Sequence, residues 1–301
     1  MKKLTTTIII SGLLLVAQPV MAAINVFSCE PEWKSLVEEL GQDRVKVYSA
    51  TTAFQDPHHI EARPSLIAKV RRAKLVICSG SELETGWLPV LLRQAGNANV
   101  LPGKPGYFEA SSFVKRLEIP GKVDRSLGDV HASGNPHVHL DPRRVATIAK
   151  ALSQRLIALD PDGRSSYTKN YETFSTRWQA AIQGWQQQAE PLNGVGVVVH
   201  HKDWVYMFDW LNIKNVGALE PKPGLPTTVG HLVELKNQLK ETSAKMVIHT
   251  KYQNARAAKR FAQMASIPVV ELPYTVGGDD NVKDLFSLFD VTIKKLLGAL
   301  K

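Results

Sequence analysis

This sequence has few cysteines, no block of basic residues and no long apolar run after its N-terminal segment. Each absence excludes a class of protein or of site. Cys29 and Cys78 are the only cysteines and no C-x-x-C pair occurs, which excludes a zinc site built from thiolates. The net charge is +9, but the positive residues form no basic block, so we expect no nucleic-acid partner. No apolar run after the N-terminal segment approaches the ~20 residues that a bilayer-spanning helix needs, so we expect a mature protein that does not span the membrane.

The N-terminal segment has the pattern of a secretory signal peptide. Lys2 and Lys3 follow the first methionine, residues 8–17 are mainly apolar, and small residues stand at Ala22 and Ala23. A charged start, a short apolar core and small residues at a cleavage point are typical of such peptides. We therefore predict a signal peptide over residues 1–22 and a mature protein in the bacterial periplasm.

In that oxidising compartment the two cysteines are candidates for one disulfide. Cys29 and Cys78 each stand at the end of a predicted strand, and an even number of cysteines permits a bond between them. Two separate buried thiols are the alternative, because a sequence does not supply the geometry that a disulfide requires.

Short β-rich runs alternate with helical patterns along the mature chain. The strand patterns are at residues 24–29, 45–50, 75–79, 195–200, 215–219, 245–249 and 268–272. This alternation predicts βαβ units with mainly parallel sheets. From residue 162 to 190 there is no proline and aromatic residues recur every three or four positions, which predicts one long helix.

We therefore predict an α/β fold of two Rossmann-like lobes joined by a long, rigid helix. The predicted N-terminal lobe covers residues 23–160, the connecting helix lies within 161–190, and the C-terminal lobe covers 191–301. Because ligands of parallel α/β sheets bind beyond the carboxyl ends of the strands, we expect the site in the cleft between the lobes.

Histidine is the residue type that carries the candidate chemistry. Seven of the nine histidines fall into three groups, at residues 58–59, 131–139 and 200–201, and each group is near a predicted turn. Loops that are distant in sequence can converge at one edge of a parallel sheet, and imidazole is a common zinc ligand. The three groups therefore indicate a metal site; the alternative is that they lie on separate loops with no shared location.

Three local motifs each contain one of these histidines. They are Asp56-Pro57-His58, Asn135-Pro136-His137-Val138-His139-Leu140-Asp141-Pro142, and His201-Lys202-Asp203-Trp204-Val205-Tyr206. In this order and at these separations, they resemble the solute-binding proteins of zinc and manganese ABC importers. The resemblance covers essentially the whole mature chain. It implies that His58, His137 and His201 are metal ligands.

Three further residues are candidates for supporting roles at this site. His139 takes the place of an aromatic residue in the family's second motif, and in an extended segment it would point to the same side as His137. We treat it as a supporting residue or alternate ligand. Glu61 and Glu220 are candidates to orient ligand imidazoles by accepting the second ring N–H.

The fourth ligand departs from the family's pattern. Members of the family carry an acidic residue in a Leu-Asp-Pro turn after the last strand, whereas this sequence has Leu272-Pro273-Tyr274. The nearest carboxylates are Asp279 and Asp280, which follow two glycines, so we expect one of them to bind the metal. The alternative is that they cap the helix predicted to begin near Val282.

The resemblance implies a function in metal uptake. It implies a protein that is not an enzyme, and that captures one Zn²⁺ and delivers it to an inner-membrane ABC permease. Three neutral imidazoles and one carboxylate suit four-coordinate Zn²⁺, whereas Mn²⁺ prefers oxygen-rich shells. Because each imidazole must lose its proton to bind, we expect affinity to fall as the pH drops through ~6.5. We expect a monomer. Whether a metallochaperone loads the site is left open by the sequence.

Three other functions remain as alternatives at this point. The first is capture of manganese or iron by a protein of the same family. The second is an exported metallohydrolase, which would need an open coordination position and a general base, and the sequence contains no H-E-x-x-H motif. The third is a protein that binds an organic solute or another protein, in which the histidines have no role in binding.

Overall fold

The computed structural model describes residues 23–121, 131–239 and 242–301. The predicted signal peptide, residues 1–22, lies outside the described residues. In the three described ranges, no helix combines the length and the apolar character that crossing a bilayer requires.

The described residues form strands and helices that alternate along most of the chain. The strands are β1 (Ile24–Ser28), β2 (Val45–Ser49), β3 (Leu75–Cys78), β4 (Tyr107–Glu109), β5 (Gly196–Val199), β6 (Lys214–Ala218), β7 (Met246–Thr250) and β8 (Val269–Leu272). The helices are α1 (Pro31–Gly41), α2 (Pro64–Arg72), α3 (Leu88–Ala95), α4 (Pro142–Leu159), α5 (Arg164–Gln188), α6 (Val205–Leu211), α7 (Val229–Gln238), α8 (Ala255–Ala265) and α9 (Leu285–Gly298).

The strands make two four-stranded parallel sheets, one in each half of the chain. The first sheet has the order β2-β1-β3-β4 and the second the order β6-β5-β7-β8. The central strands are short apolar runs buried on both faces, as in β5, where Val197, Val198 and Val199 are all inaccessible to solvent. The prediction of an α/β fold with two lobes of parallel strands is therefore confirmed.

Helix α5 is the long helix that the aromatic pattern predicts. Its 25 residues span ~38 Å, and the buried side chains Phe174, Trp178 and Trp185 form its inner stripe. It packs against α1 and α4 of the first half and against α9 of the second. Trp178 donates its indole N–H to the carbonyl of Pro142 at 2.8 Å, and Trp185 donates to Asp290 at 2.6 Å. One apolar core therefore runs through both halves.

The strand order also explains why the two cysteines meet. Strands β1 and β3 are paired neighbours; Cys29 directly follows β1, and Cys78 ends β3. The backbone N–H of Cys29 donates to the carbonyl of Ile77 at 2.8 Å, which extends the pairing by one residue. The Cα atoms of the two cysteines are 4.8 Å apart, and their sulfur atoms form the disulfide.

Candidate metal centre

The first histidine of the site lies on a turn between β2 and α2. The carboxylate of Asp56 accepts a 3.0 Å hydrogen bond from the backbone N–H of His58 and lies 2.7 Å from its ring Nδ1. Buried Trp87 anchors the turn by donating its indole N–H to the carbonyl of Pro57 at 2.9 Å. The second ring nitrogen of His58, Nε2, is buried and has no hydrogen-bond partner among the described residues.

The second histidine, His137, is buried at the junction of the two lobes. Its backbone N–H donates to the side-chain oxygen of Asn135 at 3.1 Å, which fixes the turn before α4. Its ring Nδ1 lies 2.7 Å from the hydroxyl of Tyr274, which follows β8 in the other lobe. Its Nε2 lies 3.6 Å from Oδ1 of Asp203.

The third histidine, His201, follows the buried strand β5. Its ring Nδ1 is 2.7 Å from Oε2 of Glu220, which lies just after the neighbouring strand β6. The same carboxylate oxygen accepts the backbone N–H of Gly224 at 3.0 Å, so the acid is itself held in place. The contact predicted between Glu220 and a histidine of the site is present.

The three imidazoles converge on one point. One ring nitrogen from each of His58, His137 and His201 lies within 4.8 Å of the corresponding nitrogens of the other two. The ring centroids are separated by 5.6 to 6.0 Å, and the rings stand edge to face. Since an outer group holds Nδ1 of every ring, Nε2 is the nitrogen left to face the centre. An imidazole oriented by a carboxylate or hydroxyl in this way is typical of metal sites in proteins.

The charges around the cluster differ from one histidine to the next. Burial and the neighbouring imidazoles of His58 and His201 hold the pKa of His137 well below its usual range, so this ring is neutral. Burial also opposes charge on His201, but the negative charge of Asp203 and the hydrogen bond to Glu220 outweigh it and raise the pKa of His201 to about 9. In the metal-free protein, a proton on His201 thus offsets the nearby carboxylates at neutral pH.

A fourth polar group borders the cluster, the carboxylate of Asp203. This side chain is fully buried in the turn after His201. Its Oδ1 accepts a hydrogen bond from the hydroxyl of Tyr252 at 3.1 Å, and its Oδ2 accepts one from Nε2 of Gln253 at 2.9 Å. The arrangement fixes a buried oxygen donor beside Nε2 of His137, at the border of the cluster.

Two small cavities flank the cluster. One, of about 310 Å³, is lined in part by His131, His137 and Lys202. The other, of about 270 Å³, is lined in part by His58, His201 and Glu220. Polar side chains thus line both sides of the imidazole cluster, which suits an ion more than an apolar solute.

The sequence matches a known family over most of its length. Residues 26–299 match the family described as "ZnuA: Zinc-uptake complex component A periplasmic". The chain belongs to this ZnuA family. Proteins of this family are metal-binding substrate-binding components of ABC transporters.

Solved structures and curated relatives agree with this assignment. The structure described as "Crystal structure of ZnuA" has a TM-score of 0.78 at 22% identity, covering 93% of this chain and 100% of that one. The manganese-bound periplasmic metal binding protein from Candidatus Liberibacter asiaticus has a TM-score of 0.75 at 17% identity, with 92% and 100% coverage. The manganese ABC transporter substrate-binding lipoprotein PsaA of Streptococcus pneumoniae is 23% identical over 242 residues, covering 80% of this chain and 76% of that one.

Asp279 and Asp280, predicted to supply the fourth ligand of this ZnuA-family chain, lie outside the imidazole cluster, and which residue supplies that ligand stays a prediction. The described residues that cluster as possible ligands include neither Asp279 nor Asp280. Asp279 instead forms a 2.8 Å ion pair with Lys295 of α9 and accepts the backbone N–H of Asn281 at 3.0 Å. The hydrogen bond from Lys295 lowers the pKa of Asp279 to about 2. Asp280 is exposed.

The alternative prediction was that Asp279 and Asp280 cap the last helix, and in the structure a different residue is the cap. Helix α9 begins at Leu285, and its N-cap is Asp284, whose carboxylate accepts the backbone N–H of Ser287 at 2.8 Å. The cap therefore lies beyond both predicted aspartates.

The other two residues predicted to support the site, Glu61 and His139, lie outside the cluster of three imidazoles. Glu61 is exposed, and the role of holding the imidazole of His58 falls to Asp56 on the same turn. His139 lies in a short 3-10 turn (Val138–Leu140), not in an extended segment, and it is not among the clustered imidazoles. Its Nε2 lies 3.0 Å from the carbonyl of Tyr274, and its Nδ1 is 3.3 Å from Glu32.

His131 is a neighbour of the site that was not among the predicted ligands. Its ring stacks on that of His58 with the centroids 5.4 Å apart. Burial and the nearby imidazoles of His58 and His201 lower the pKa of His131 to about 4. Its Nε2 is buried without a hydrogen-bond partner among the described residues.

Sequence reasoning missed three residues that hold the site, and two of them carried a local signal. Asp56 stands two residues before His58, and Asp203 two residues after His201, so both are within the motifs that identified the histidines. Tyr274 gave no comparable signal, because its contact with His137 joins residues that are 137 apart in the chain.

Proposed function

We propose that this protein captures Zn²⁺ in the periplasm and delivers it to an inner-membrane ABC permease. The observation that carries the proposal is the convergence of one ring nitrogen from each of His58, His137 and His201 within 4.8 Å. Three neutral nitrogen donors with fixed outer partners form a set that Zn²⁺ binds at ~2.0–2.1 Å per bond.

The donor set supports zinc over manganese as the cargo. Imidazole nitrogen suits Zn²⁺, whereas Mn²⁺ favours carboxylate, carbonyl and water oxygens. Manganese capture is the second candidate, because PsaA of Streptococcus pneumoniae is named as a manganese-binding relative. At 23% identity that relative does not decide the metal, so the donor chemistry has the greater weight.

Burial of the site supports capture and release instead of catalysis. His137 and Asp203 are almost inaccessible to solvent, and Asp56, Tyr274 and Glu220 hold the histidines, so none of these three groups is a free general base beside the centre. A metallohydrolase would need such a base and an open coordination position. Transport by a monomeric carrier that docks on a permease needs neither.

Metal content of the exported protein tests the proposal. We expect wild-type protein purified without added metal to carry about one zinc per chain, and His137→Ala to carry almost none. His231→Gln is the matched control, because Nε2 of His231 lies 2.8 Å from the carbonyl of Ala218 and His231 lies outside the cluster. Its zinc content should equal that of the wild type.

Competition between metals completes the test. With equal concentrations of Zn²⁺ and Mn²⁺, we expect zinc alone to be retained after desalting. Retention of manganese in preference to zinc would overturn the zinc assignment in favour of the second candidate. Equal zinc in wild type and His137→Ala would overturn the site itself.

A further inference from the structure

Asp203 is a buried carboxylate whose negative charge is matched by no lysine or arginine. Its side chain has no exposed surface, and its hydrogen-bond donors are the hydroxyl of Tyr252 and the amide of Gln253, both neutral. None of the ion pairs that the described residues form joins Asp203 to a lysine or arginine; its partner in that set is His137, and the His201 proton, which a bound metal displaces, is the other positive charge near it. A buried carboxylate without a permanent positive partner is costly, and cation binding removes that cost.

The position of the carboxylate fits a coordination shell. In a tetrahedral zinc site with bonds of ~2.0–2.1 Å, neighbouring donor atoms are ~3.3–3.4 Å apart. Oδ1 of Asp203 lies 3.6 Å from Nε2 of His137, close to that separation. One lone pair of Oδ1 accepts the Tyr252 hydrogen bond, which leaves the other free for a cation.

The other acidic groups near the cluster are already committed. Asp56 and Glu220 hold Nδ1 of His58 and His201 from behind, so their carboxylates face away from the centre. Asp279, on the loop after the last strand, is paired with Lys295. Oδ1 of Asp203, by contrast, lies beside Nε2 of His137, the ring nitrogen that faces the cluster.

We propose that Asp203 is the fourth metal ligand, so that His201 and Asp203 bind the ion from a single turn. This inference rests on the proposed function, because it requires that the three imidazoles bind a metal. It moves the acidic ligand from the loop after the last strand to the turn after β5. The shell becomes three neutral imidazoles and one carboxylate, with no ligand supplied by residues 277–280.

Two variants separate the two possible origins of the acidic ligand. Asp203→Asn keeps an oxygen that can accept from Tyr252 and Gln253 but removes the charge, and Asp279→Asn is its matched control. We expect Asp203→Asn to weaken zinc affinity at least ~100-fold, the upper end of the loss seen when an outer partner of a metal ligand is removed. Asp279→Asn should bind zinc like the wild type, with affinity measured by competition against a chromophoric chelator.

Spectroscopy of the wild type keeps the proposal testable if Asp203→Asn fails to fold. We expect X-ray absorption at the zinc edge to show three imidazoles and one oxygen donor. A shell of four imidazoles, as His131 would give, would overturn the proposal. So would unchanged zinc affinity in a folded Asp203→Asn protein or a ~100-fold loss in Asp279→Asn.

Failure of this inference is distinguishable from failure of the proposed function. If Asp203 is not a ligand but the protein captures zinc, His137→Ala loses zinc while Asp203→Asn retains it at full affinity. If the proposed function is wrong, the wild type itself holds no zinc, and the Asp203 assignment falls with it.

Discussion

Proton competition at His201 gives a quantitative test of the site. Asp203 and Glu220 outweigh burial and raise the pKa of His201 to about 9, so the metal-free protein carries a proton on this ring at pH 7 to 8. Burial keeps His137 neutral in the same range. Each bound ion must therefore displace the His201 proton, because a ligand imidazole is neutral.

The size of the effect follows from one displaced proton. Zinc affinity should rise about tenfold per pH unit between pH 7.5 and 8.5, or ~1.4 kcal/mol, and level off above the pKa of His201. The direction of the pH dependence follows from the raised pKa of His201. The proton on His201 stabilises the metal-free fold fully below the pKa that His201 has in the unfolded chain, and this stabilisation is lost as the pH rises towards 9. From residue types alone, zinc affinity was expected to fall as the pH drops through ~6.5. The raised pKa of His201 moves this fall in affinity to a higher pH.

Calorimetry in two buffers of different ionisation enthalpy measures the proton directly. We expect about one proton released per zinc at pH 8, and less in Glu220→Gln, which removes one of the two groups that raise the pKa of His201. Zinc affinity that stays constant from pH 7.5 to 8.5, with no proton released, would refute the assignment of His201 as a ligand.

Three further predictions concern the groups that support the site and the fold. Tyr274→Phe removes the hydroxyl beside Nδ1 of His137 and should weaken zinc affinity about 10-fold or more with little change in the unfolding midpoint; unchanged affinity would contradict this role. Trp178→Ala should lower the free energy of unfolding by about 3–5 kcal/mol in urea, because it empties the inner stripe of α5, and a loss below 1 kcal/mol would be inconsistent with that packing. Replacing Cys29 and Cys78 together by alanine should cost about 2–4 kcal/mol and leave zinc affinity unchanged; a loss of zinc would show coupling that the structure does not predict.

The fold was accessible from sequence because its signals are local. Strands such as β5 are short runs of buried β-branched residues, and α5 is marked by an uninterrupted aromatic period. The short strand β4 was missed, because three residues at a sheet edge carry too little pattern. The predicted limits of the lobes, at residues 160 and 191, stay predictions.

The site was accessible only in part, for a physical reason. The histidines were found because each lies in a motif that resembles a known family. The acidic candidates could not be ranked from sequence, because contacts such as the ion pair of Asp279 with Lys295 of α9 depend on the tertiary fold. Likewise Glu61 and Asp56 both flank His58, and only the turn geometry shows that Asp56 faces the ring.

An anomalous difference map from a zinc-loaded crystal, recorded above and below the zinc edge, tests the central claim most directly. We expect a single peak between the lobes, ~2.0–2.1 Å from Nε2 of each of His58, His137 and His201. A peak at another position, or one contacting fewer than three of these nitrogens, would contradict the shared metal site.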